Sequence, residues 1–206
     1  MSESSDEDEA RALPDYISYT LALDTGVDAE TTLTTVRAWL DTGSDVEGRG
    51  YRGDTTLIMA SFYNRVEVVE LLLDRGANVN AKSLEDNFTA LHCVVIPEAG
   101  HEPLAVERRA RTFSLLLNAG ADVHKTAGGA SVIAKFFEAG CDRDVLVQLL
   151  RAGASLEDLP TDPVSELRTR LSDSANLCFP ALSECAELMS SVCDAGGWRD
   201  YVLAPR

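Results

Sequence analysis

The side chains best suited to catalysis or metal binding are few in this chain of 206 residues. No Cys-x2-Cys pair, no Cys–His set with zinc-finger spacing and no Ser–His–Asp or His-Glu-x-x-His arrangement occurs locally. We therefore predict no metal, no cofactor and no catalytic residue. The odd number and wide spacing of the cysteines indicate buried or half-buried thiols in a reducing compartment; they are Cys93, Cys141, Cys178, Cys185 and Cys193.

Carboxylate pairs and adjacent glycines have structural interpretations as well. Pairs such as Asp142 with Asp144, or Glu157 with Asp158, lie at expected helix starts and in loops, where a solvated face or complementarity to the helix dipole explains them. Gly128-Gly129 is followed by no Lys and Ser/Thr at P-loop spacing, so it predicts a turn and not a phosphate loop. An enzyme of unknown type is the least favoured interpretation.

Composition and charge limit the class of partner. The chain is 45% hydrophobic, which is enough for a packed core. Its 34 acidic and 18 basic residues give a formal net charge of −16, which disfavours nucleic acid and anionic membrane surfaces. The longest apolar run, residues 91–96, is far shorter than the roughly 20 residues of a membrane span. The acidic N-terminus lacks the basic and apolar segments of a signal peptide, so we expect a cytoplasmic or nuclear protein.

Internal repetition is the most informative pattern. An apolar helical stretch, a glycine and a short polar segment with Val or Leu recur at intervals of 33, 44 and 33; the glycines are Gly43, Gly76, Gly120 and Gly153. A glycine in this place is typical of a helix C-terminus, because it adopts the left-handed conformation without a Cβ penalty. A hydroxyl residue followed two places on by Leu or Ile precedes three of the helix pairs and predicts an N-cap; these residues are Thr55, Thr89 and Ser131.

These units resemble ankyrin repeats, whose period is 33 and whose signature is G-x-T-P-L-H-x-A followed by V-x-x-L-L-L-x-x-G-A-D-V-N. Residues 45–77 match nearly throughout, whereas the next unit keeps Thr89–His92 and Gly120–Val123. The fourth unit keeps Ser131, Ile133 and Ala152–Ala154. The resemblance covers about residues 28–157. It implies an all-α solenoid of four to five stacked helix–turn–helix units with short β-hairpin loops, in which His92 bonds a neighbouring loop.

The expected organisation has three parts. Residues 1–12 are an acidic disordered tail, residues 13–157 hold an N-terminal capping unit and three clearer repeats, and residues 158–206 form a divergent fifth repeat or C-terminal cap with a tail. Helices are expected at about 15–24, 29–40, 161–176 and 180–194. An insertion at about 97–108 separates or lengthens the helices of the third unit and adjoins a basic cluster, Arg108, Arg109 and Arg111.

The resemblance also implies the function and the site. Ankyrin stacks share a function as non-catalytic protein-binding scaffolds or adaptors, and the resemblance implies the same function here. They bind through hairpin tips and the late part of each first helix. Carried over, this predicts the partner-binding residues Tyr51, Arg52, Asp54, Phe62, Tyr63, Leu84, Glu85, Phe88, Ile96 and Glu138. Inward packing of Phe62 or Phe88 is the alternative to one exposed patch formed with Tyr51 and Tyr63.

The acidic charge predicts a protein partner with a basic patch. The chain is expected to be a monomer on its own or a subunit of a hetero-complex, with no nucleic acid and no membrane as partner. A structural subunit held permanently in a larger complex is the alternative function.

The acidic segment Ser2–Glu9 is most simply a solvated tail, and the sharper hypothesis is phosphorylation at Ser4 and Ser5. Each serine has a carboxylate three places on, as acidophilic kinase sites do. Under that hypothesis, mass spectrometry of protein from its native cell shows phosphate on one or both serines. A tail that is unmodified under all conditions removes the idea.

Overall fold

The computed structural model describes residues 29–50, 53–96, 103–139, 142–156, 159 and 179–203, together with Ile17, Leu21 and Ser165. Within these residues the chain forms helices α1 (Ala29–Asp41), α2 (Thr56–Phe62), α3 (Val66–Asp74), α4 (Ala90–Val95), α5 (Pro103–Asn118), α6 (Val132–Ala139), α7 (Arg143–Arg151), α8 (Phe179–Asp194) and α9 (Trp198–Leu203). One small sheet pairs β1 (Thr126–Ala127) with β2 (Ala130–Ser131) in antiparallel register. None of the described helices is long and apolar enough to cross a membrane.

The first helices of the second and fourth units start at the predicted hydroxyl residues. The Ile58 N–H donates to Oγ1 of Thr55 at 3.3 Å, and the Ala134 N–H donates to Oγ of Ser131 at 3.4 Å. Each bond satisfies one of the N–H groups that the first helical turn leaves without a partner.

The helices that end at Gly76, Gly120 and Gly153 share one terminus geometry. Gly76 has φ +84°, its N–H donates to the Leu73 carbonyl, and the next N–H, of Ala77, donates to the Leu72 carbonyl, both at 3.0 Å. This is the Schellman pattern, which requires a left-handed residue. The same pattern follows α8, where Gly196 has φ +86° and the Gly197 N–H donates to the Val192 carbonyl at 2.9 Å.

The helices stack in two layers. Helices α2, α4 and α6 contact one another in sequence along the inner layer. Helices α1, α3, α5, α7 and α8 follow one another along the outer layer. We number the units by their pairs: α2–α3 is the second unit, α4–α5 the third and α6–α7 the fourth. The all-α solenoid expected from the sequence is thereby confirmed.

Hydrogen bonds between loops hold successive units in register. The Asn78 N–H donates to a Glu47 carboxylate oxygen at 2.7 Å, and the Asp122 N–H donates to Oδ1 of Asn80 at 3.0 Å. The Asn80 amide also donates to the Gly120 carbonyl at 3.1 Å. These partners lie in successive units, so the hydrogen bonds fix the position of each loop relative to the next one.

The β1–β2 hairpin turns at the two adjacent glycines. Gly128 has φ +58° and Gly129 has φ +82°. Two central residues with positive φ are typical of a type I′ turn, which matches the twist of a tight hairpin. The sequence prediction of a turn at this place is confirmed.

The outer helices bury the residue that lies four positions before each repeat glycine. Leu72, Leu116 and Leu149 are fully buried, and Trp39 is 7% exposed. Ile17 and Leu21 are helical and fully buried, in agreement with a helix at about 15–24. Helices α1 and α8 match the expected ranges to within one residue.

The insertion in the third unit lengthens its second helix. Helix α5 has 16 residues, whereas α3 and α7 have nine each. Of the nearby arginines, Arg108 and Arg111 are exposed, but Arg109 is buried.

The described cysteines differ in their exposure. Cys93 and Cys185 are buried thiols as expected, but Cys193 is exposed, because on α8 the neighbouring Val192 occupies the inward position and a helix turns about 100° per residue. Several expectations fall outside the described residues: the acidic tail with Ser4 and Ser5, most of the 161–176 helix, and the residues Cys141 and Cys178.

Replacing Trp39 with alanine should lower the free energy of unfolding by about 3–5 kcal/mol, because a large side chain is removed from a packed interior. Urea denaturation monitored by circular dichroism measures this loss. Arg37→Ala, at an exposed position on the same helix, is the control and should cost less than about 0.5 kcal/mol. Equal losses in the two variants would contradict the placement of Trp39 in the core.

Candidate functional site

A pocket opens on the inner layer between the second and third units, with a volume of about 190 Å³. The second unit contributes Asp54, Ile58, Met59, Phe62 and Tyr63. The third unit contributes Asp86, Phe88, Cys93 and Ile96. We call this the inner-face pocket.

The loop before α2 places Asp54 at the pocket. Arg49 pairs with Thr55 as an isolated β-bridge, and the Gly50 N–H donates to the Asp54 carbonyl at 3.0 Å. Gly53 takes a left-handed φ of +73° so that the chain can reverse directly before the N-cap. Asp54 is therefore fixed within one residue of the first turn of α2.

The loop before α4 is closed by reciprocal bonds. The Ser83 N–H donates to the Phe88 carbonyl at 2.8 Å, and the Phe88 N–H donates to Oγ of Ser83 at 3.0 Å. Asn87 adopts φ +58° in the turn, as asparagine tolerates. This geometry brings Asp86 and Phe88 to the pocket.

The two loops contact each other at a glycine. A Cβ built on Gly53 would lie 2.5 Å from Cβ of Leu84, so this position has no room for a side chain. Arg49 reinforces the contact, because its guanidinium donates to the carbonyls of Gly53 at 2.6 Å and Lys82 at 2.9 Å. The positions of Asp54 and Asp86 are thus linked through the backbone of both loops.

Aromatic rings form much of the pocket wall. Phe62 and Tyr63 meet edge to face with ring centroids 5.0 Å apart, and Phe88 stacks on the His92 ring at 5.8 Å. All three pocket aromatics are half-buried. Their rings are held in place while part of each remains accessible.

The charged residues among the described lining of the pocket are both acidic. Asp54 is half-buried and Asp86 is exposed, and none of the described residues that line the pocket is basic. The pocket therefore combines an apolar and aromatic wall with two carboxylates.

The structure brings together five of the ten residues predicted to bind a partner: Asp54, Phe62, Tyr63, Phe88 and Ile96. Leu84 is 70% exposed and Glu85 is exposed, both at the loop tip outside the pocket. Glu138 is exposed on α6, where it pairs with Lys135 at 2.6 Å. Tyr51 and Arg52 lie outside the described residues.

The expectation of one exposed aromatic patch needs correction. Phe62, Tyr63 and Phe88 are half-buried walls of a concavity, and Tyr63 also packs against the core. The reason is that α2 and α4 stack side by side, so side chains late in α2 meet the loop before α4.

Sequence reasoning missed four pocket residues: Ile58, Met59, Asp86 and Cys93. Helical spacing holds a signal for two of them, because Ile58 lies four residues before Phe62 and Met59 lies four before Tyr63. Asp86 is two residues before Phe88 in the loop. Only the stacking of the units places Cys93 at the pocket.

His92 lies behind the pocket wall and is fully buried. Its Nδ1 accepts from the Thr89 N–H at 3.3 Å and lies 2.9 Å from Oγ1 of Thr89. Burial lowers the pKa of His92 to about 4, opposed by the backbone of Ala130 and assisted by the charge of Lys82. The backbone of Ala130 and Lys125, in the loop of the next unit, interacts with the ring and favours its charged form. The ring is neutral at pH 7 and caps α4.

A second buried polar group lies at the outer helices. Asp142 is 4% exposed and caps α7 through bonds from the Asp144 and Val145 N–H groups at 2.9 and 3.2 Å. Burial raises the pKa of Asp142, against the effect of these bonds and of the Arg109 charge. This cap confirms the helix-start interpretation of Asp142 and Asp144.

Comparison with known proteins agrees with the repeat geometry. Residues 52–84 match the family model of the ankyrin repeat. These residues of the chain form an ankyrin repeat. A protein of fowlpox virus (strain NVSL), named as an ankyrin repeat protein, is 40% identical over 58 residues, or 28% of this chain. That match spans 11% of the viral protein's length. Ankyrin repeats are generally protein–protein interaction modules, and the family is typically non-catalytic.

The stability of the protein should fall as the pH drops below about 6.5, because the unfolded chain then binds a proton that the buried His92 does not accept until about pH 4. Below about pH 6, His92 should lower the free energy of unfolding by up to about 1.4 kcal/mol for each unit by which the pH falls. Denaturant titrations between pH 7.5 and 5 (approximate limits) measure it.

The informative comparison is with His92→Gln, since glutamine can keep the capping-box contact without a charge. The difference in slope between wild type and this variant isolates His92 from the carboxylates. Parallel curves for wild type and His92→Gln would show that His92 does not resist protonation.

Proposed function

We propose that this protein is a non-catalytic adaptor that binds a segment of another protein in the inner-face pocket. The observation that supports the proposal is the convergence of Asp54, Phe62, Tyr63, Phe88 and Ile96, from two units, on one concavity. The general function of the family indicates protein binding as the class of activity. The pocket indicates where on this chain the partner would bind.

The pocket has the properties of a binding hot spot. Hot spots are enriched in aromatic side chains that lie in well-packed concavities from which a partner excludes water. Phe62 and Phe88 are half-buried before any partner arrives, so little side-chain entropy remains to be lost. Their accessible faces are the surface that a partner would cover.

Electrostatics favours a basic partner segment. The chain carries a net charge of −16, and Asp54 and Asp86 place carboxylates at the pocket itself. Long-range attraction of this kind raises the association rate and weakens as salt screens it. Action in the cytoplasm or nucleus is part of the same proposal.

The double substitution Phe62→Ala with Tyr63→Ala should weaken partner binding by about 2–4 kcal/mol. A partner is first recovered with the wild-type chain by pull-down and mass spectrometry, and calorimetry with the purified partner then gives the affinities. Because Tyr63 also packs on the core, a small fall in melting temperature is expected, and binding is compared well below it.

The matched control removes two adjacent apolar side chains elsewhere. Val202 and Leu203 are 58% and 73% exposed on α9. The double substitution of these residues to alanine should leave the affinity unchanged. A partner that binds all three proteins equally does not use the inner-face pocket, and the proposal would then be wrong.

Size-exclusion chromatography of native lysate separates the adaptor from the permanent structural subunit. An adaptor appears in part as the free chain, and its complexes shift with salt. A chain found only in one large, salt-resistant complex would favour the structural subunit.

A further inference from the structure

We propose that the inner-face pocket receives one phenylalanine ring from a basic segment of the partner protein. The inference rests on the proposed function and names the side chain that the pocket selects. It follows from the pocket's size, its apolar and sulfur-containing wall, the arrangement of its rings and the charge of the two units that form it.

The size of the pocket suits a single aromatic ring. Its volume of about 190 Å³ is smaller than the roughly 300–1,000 Å³ of sites that enclose drug-sized ligands. An apolar cavity of about 150 Å³ is already large enough to bind benzene. A phenylalanine ring therefore fits, whereas a whole folded element does not, and tryptophan adds a second fused ring.

The least accessible part of the pocket wall is apolar. Ile58 is 3% exposed and Cys93 is 5% exposed, while Met59 and Ile96 are half-buried. A cysteine packed in this way behaves as a small hydrophobic side chain. Transfer from water to such a wall is favourable for a hydrocarbon ring, but it is costly for a tyrosine hydroxyl that finds no partner.

The rings and sulfur atoms favour an aromatic side chain over an aliphatic one. Phe62 and Tyr63 already meet edge to face at 5.0 Å, and a third ring can join them edge to face or with an offset. The thioether of Met59 makes favourable contacts with aromatic rings. A leucine in the same place would gain from the burial of apolar area alone.

The pocket wall is positioned before any partner binds. Phe88 stacks on the buried ring of His92, with ring centroids 5.8 Å apart. Arg49 donates to carbonyls in both loops, so the loops that carry the wall keep a fixed relation. A site whose groups are already in place loses less conformational freedom on binding.

The charge of the two units favours basic residues beside the phenylalanine. Residues 53–96 contain six acidic and three basic side chains, and the whole chain has a net charge of −16. This excess acts over several ångströms, so it does not depend on the contacts that any single carboxylate makes. A basic segment is therefore attracted to the inner layer, and an acidic one is repelled.

The first test uses capped amino acids as probes, with the full chain carrying labelled isoleucine and methionine methyl groups. N-acetyl-phenylalanine methylamide should shift the methyl signals of Ile58, Met59 and Ile96 in a saturable manner, because the bound ring changes the local magnetic field. Ile133, buried on α6 outside the pocket, is the reference signal and should not move.

Related probes identify the property that the pocket selects. The cyclohexylalanine compound keeps nearly the size of phenylalanine without an aromatic ring, and it should bind about threefold more weakly. The leucine, tyrosine and tryptophan compounds should also bind more weakly than phenylalanine. Equal binding of phenylalanine and cyclohexylalanine, or no saturable shift with any probe, would overturn the inference.

Matched protein variants locate the bound ring. Met59→Leu removes the sulfur and keeps an apolar side chain, so it should weaken phenylalanine binding about threefold and leave cyclohexylalanine binding nearly unchanged. Ile96→Ala should weaken both probes, because it removes part of the wall. Val202→Ala shortens an exposed aliphatic side chain on α9 and should have no effect. Phenylalanine binding that survives both pocket substitutions unchanged would contradict this site.

Two short peptides test the charge of the partner segment. Capped Ala-Lys-Phe-Lys-Ala should bind about tenfold more tightly than capped Ala-Glu-Phe-Glu-Ala at low salt, and the ratio should shrink as salt is added. Equal affinities at low salt would overturn the basic character of the segment.

Peptide selection separates failure of this inference from failure of the proposed function. Random displayed peptides are selected on the wild-type chain and rescreened on the Phe62→Ala, Tyr63→Ala double variant. Peptides that require the aromatic pair and are enriched in phenylalanine support both proposals. Peptides that require the pair without such enrichment overturn only the phenylalanine inference, and peptides indifferent to the pair contradict the proposed function itself.

Discussion

A helix pair of seven and nine residues, such as α2 with α3, has too little interior to bury its own apolar faces. Each unit of this protein therefore depends on contact with its neighbours, in the inner layer and in the outer one. Leu72, Leu116 and Leu149 are fully buried only because successive outer helices cover them. The loops add directional bonds, such as those between Glu47 and Asn78, which apolar packing alone does not provide.

The inner-face pocket is a product of this stacking and not of any single unit. Its aromatic wall comes from α2 and from the loop before α4, which are separate in the chain and adjacent in the stack. The contact of Leu84 with Gly53 and the two bonds of Arg49 hold these parts together. A change in the spacing of the second and third units would therefore alter the pocket as directly as a substitution in its wall.

Buried polar groups in the stack have structural explanations. His92 is kept neutral by burial and caps α4 through Thr89. Asp142 caps α7, and the positive charge of the nearby Arg109 favours its ionised carboxylate. Among the described residues, no group of three His, Cys, Asp or Glu side chains is placed to hold a metal ion. His92 and Asp142 thus serve the starts of two helices.

The sequence by itself determined the elements of this protein and their order. Hydroxyl residues at Thr55 and Ser131 begin helices and the glycine at Gly76 ends one, because caps and left-handed turns are local effects that neighbouring residues decide. Only the tertiary structure decided that Phe62 and Phe88 line one concavity with Asp86, that Cys93 reaches it, and that Arg109 is buried. These outcomes depend on individual side-chain contacts between adjacent units, which the period of the repeats does not specify.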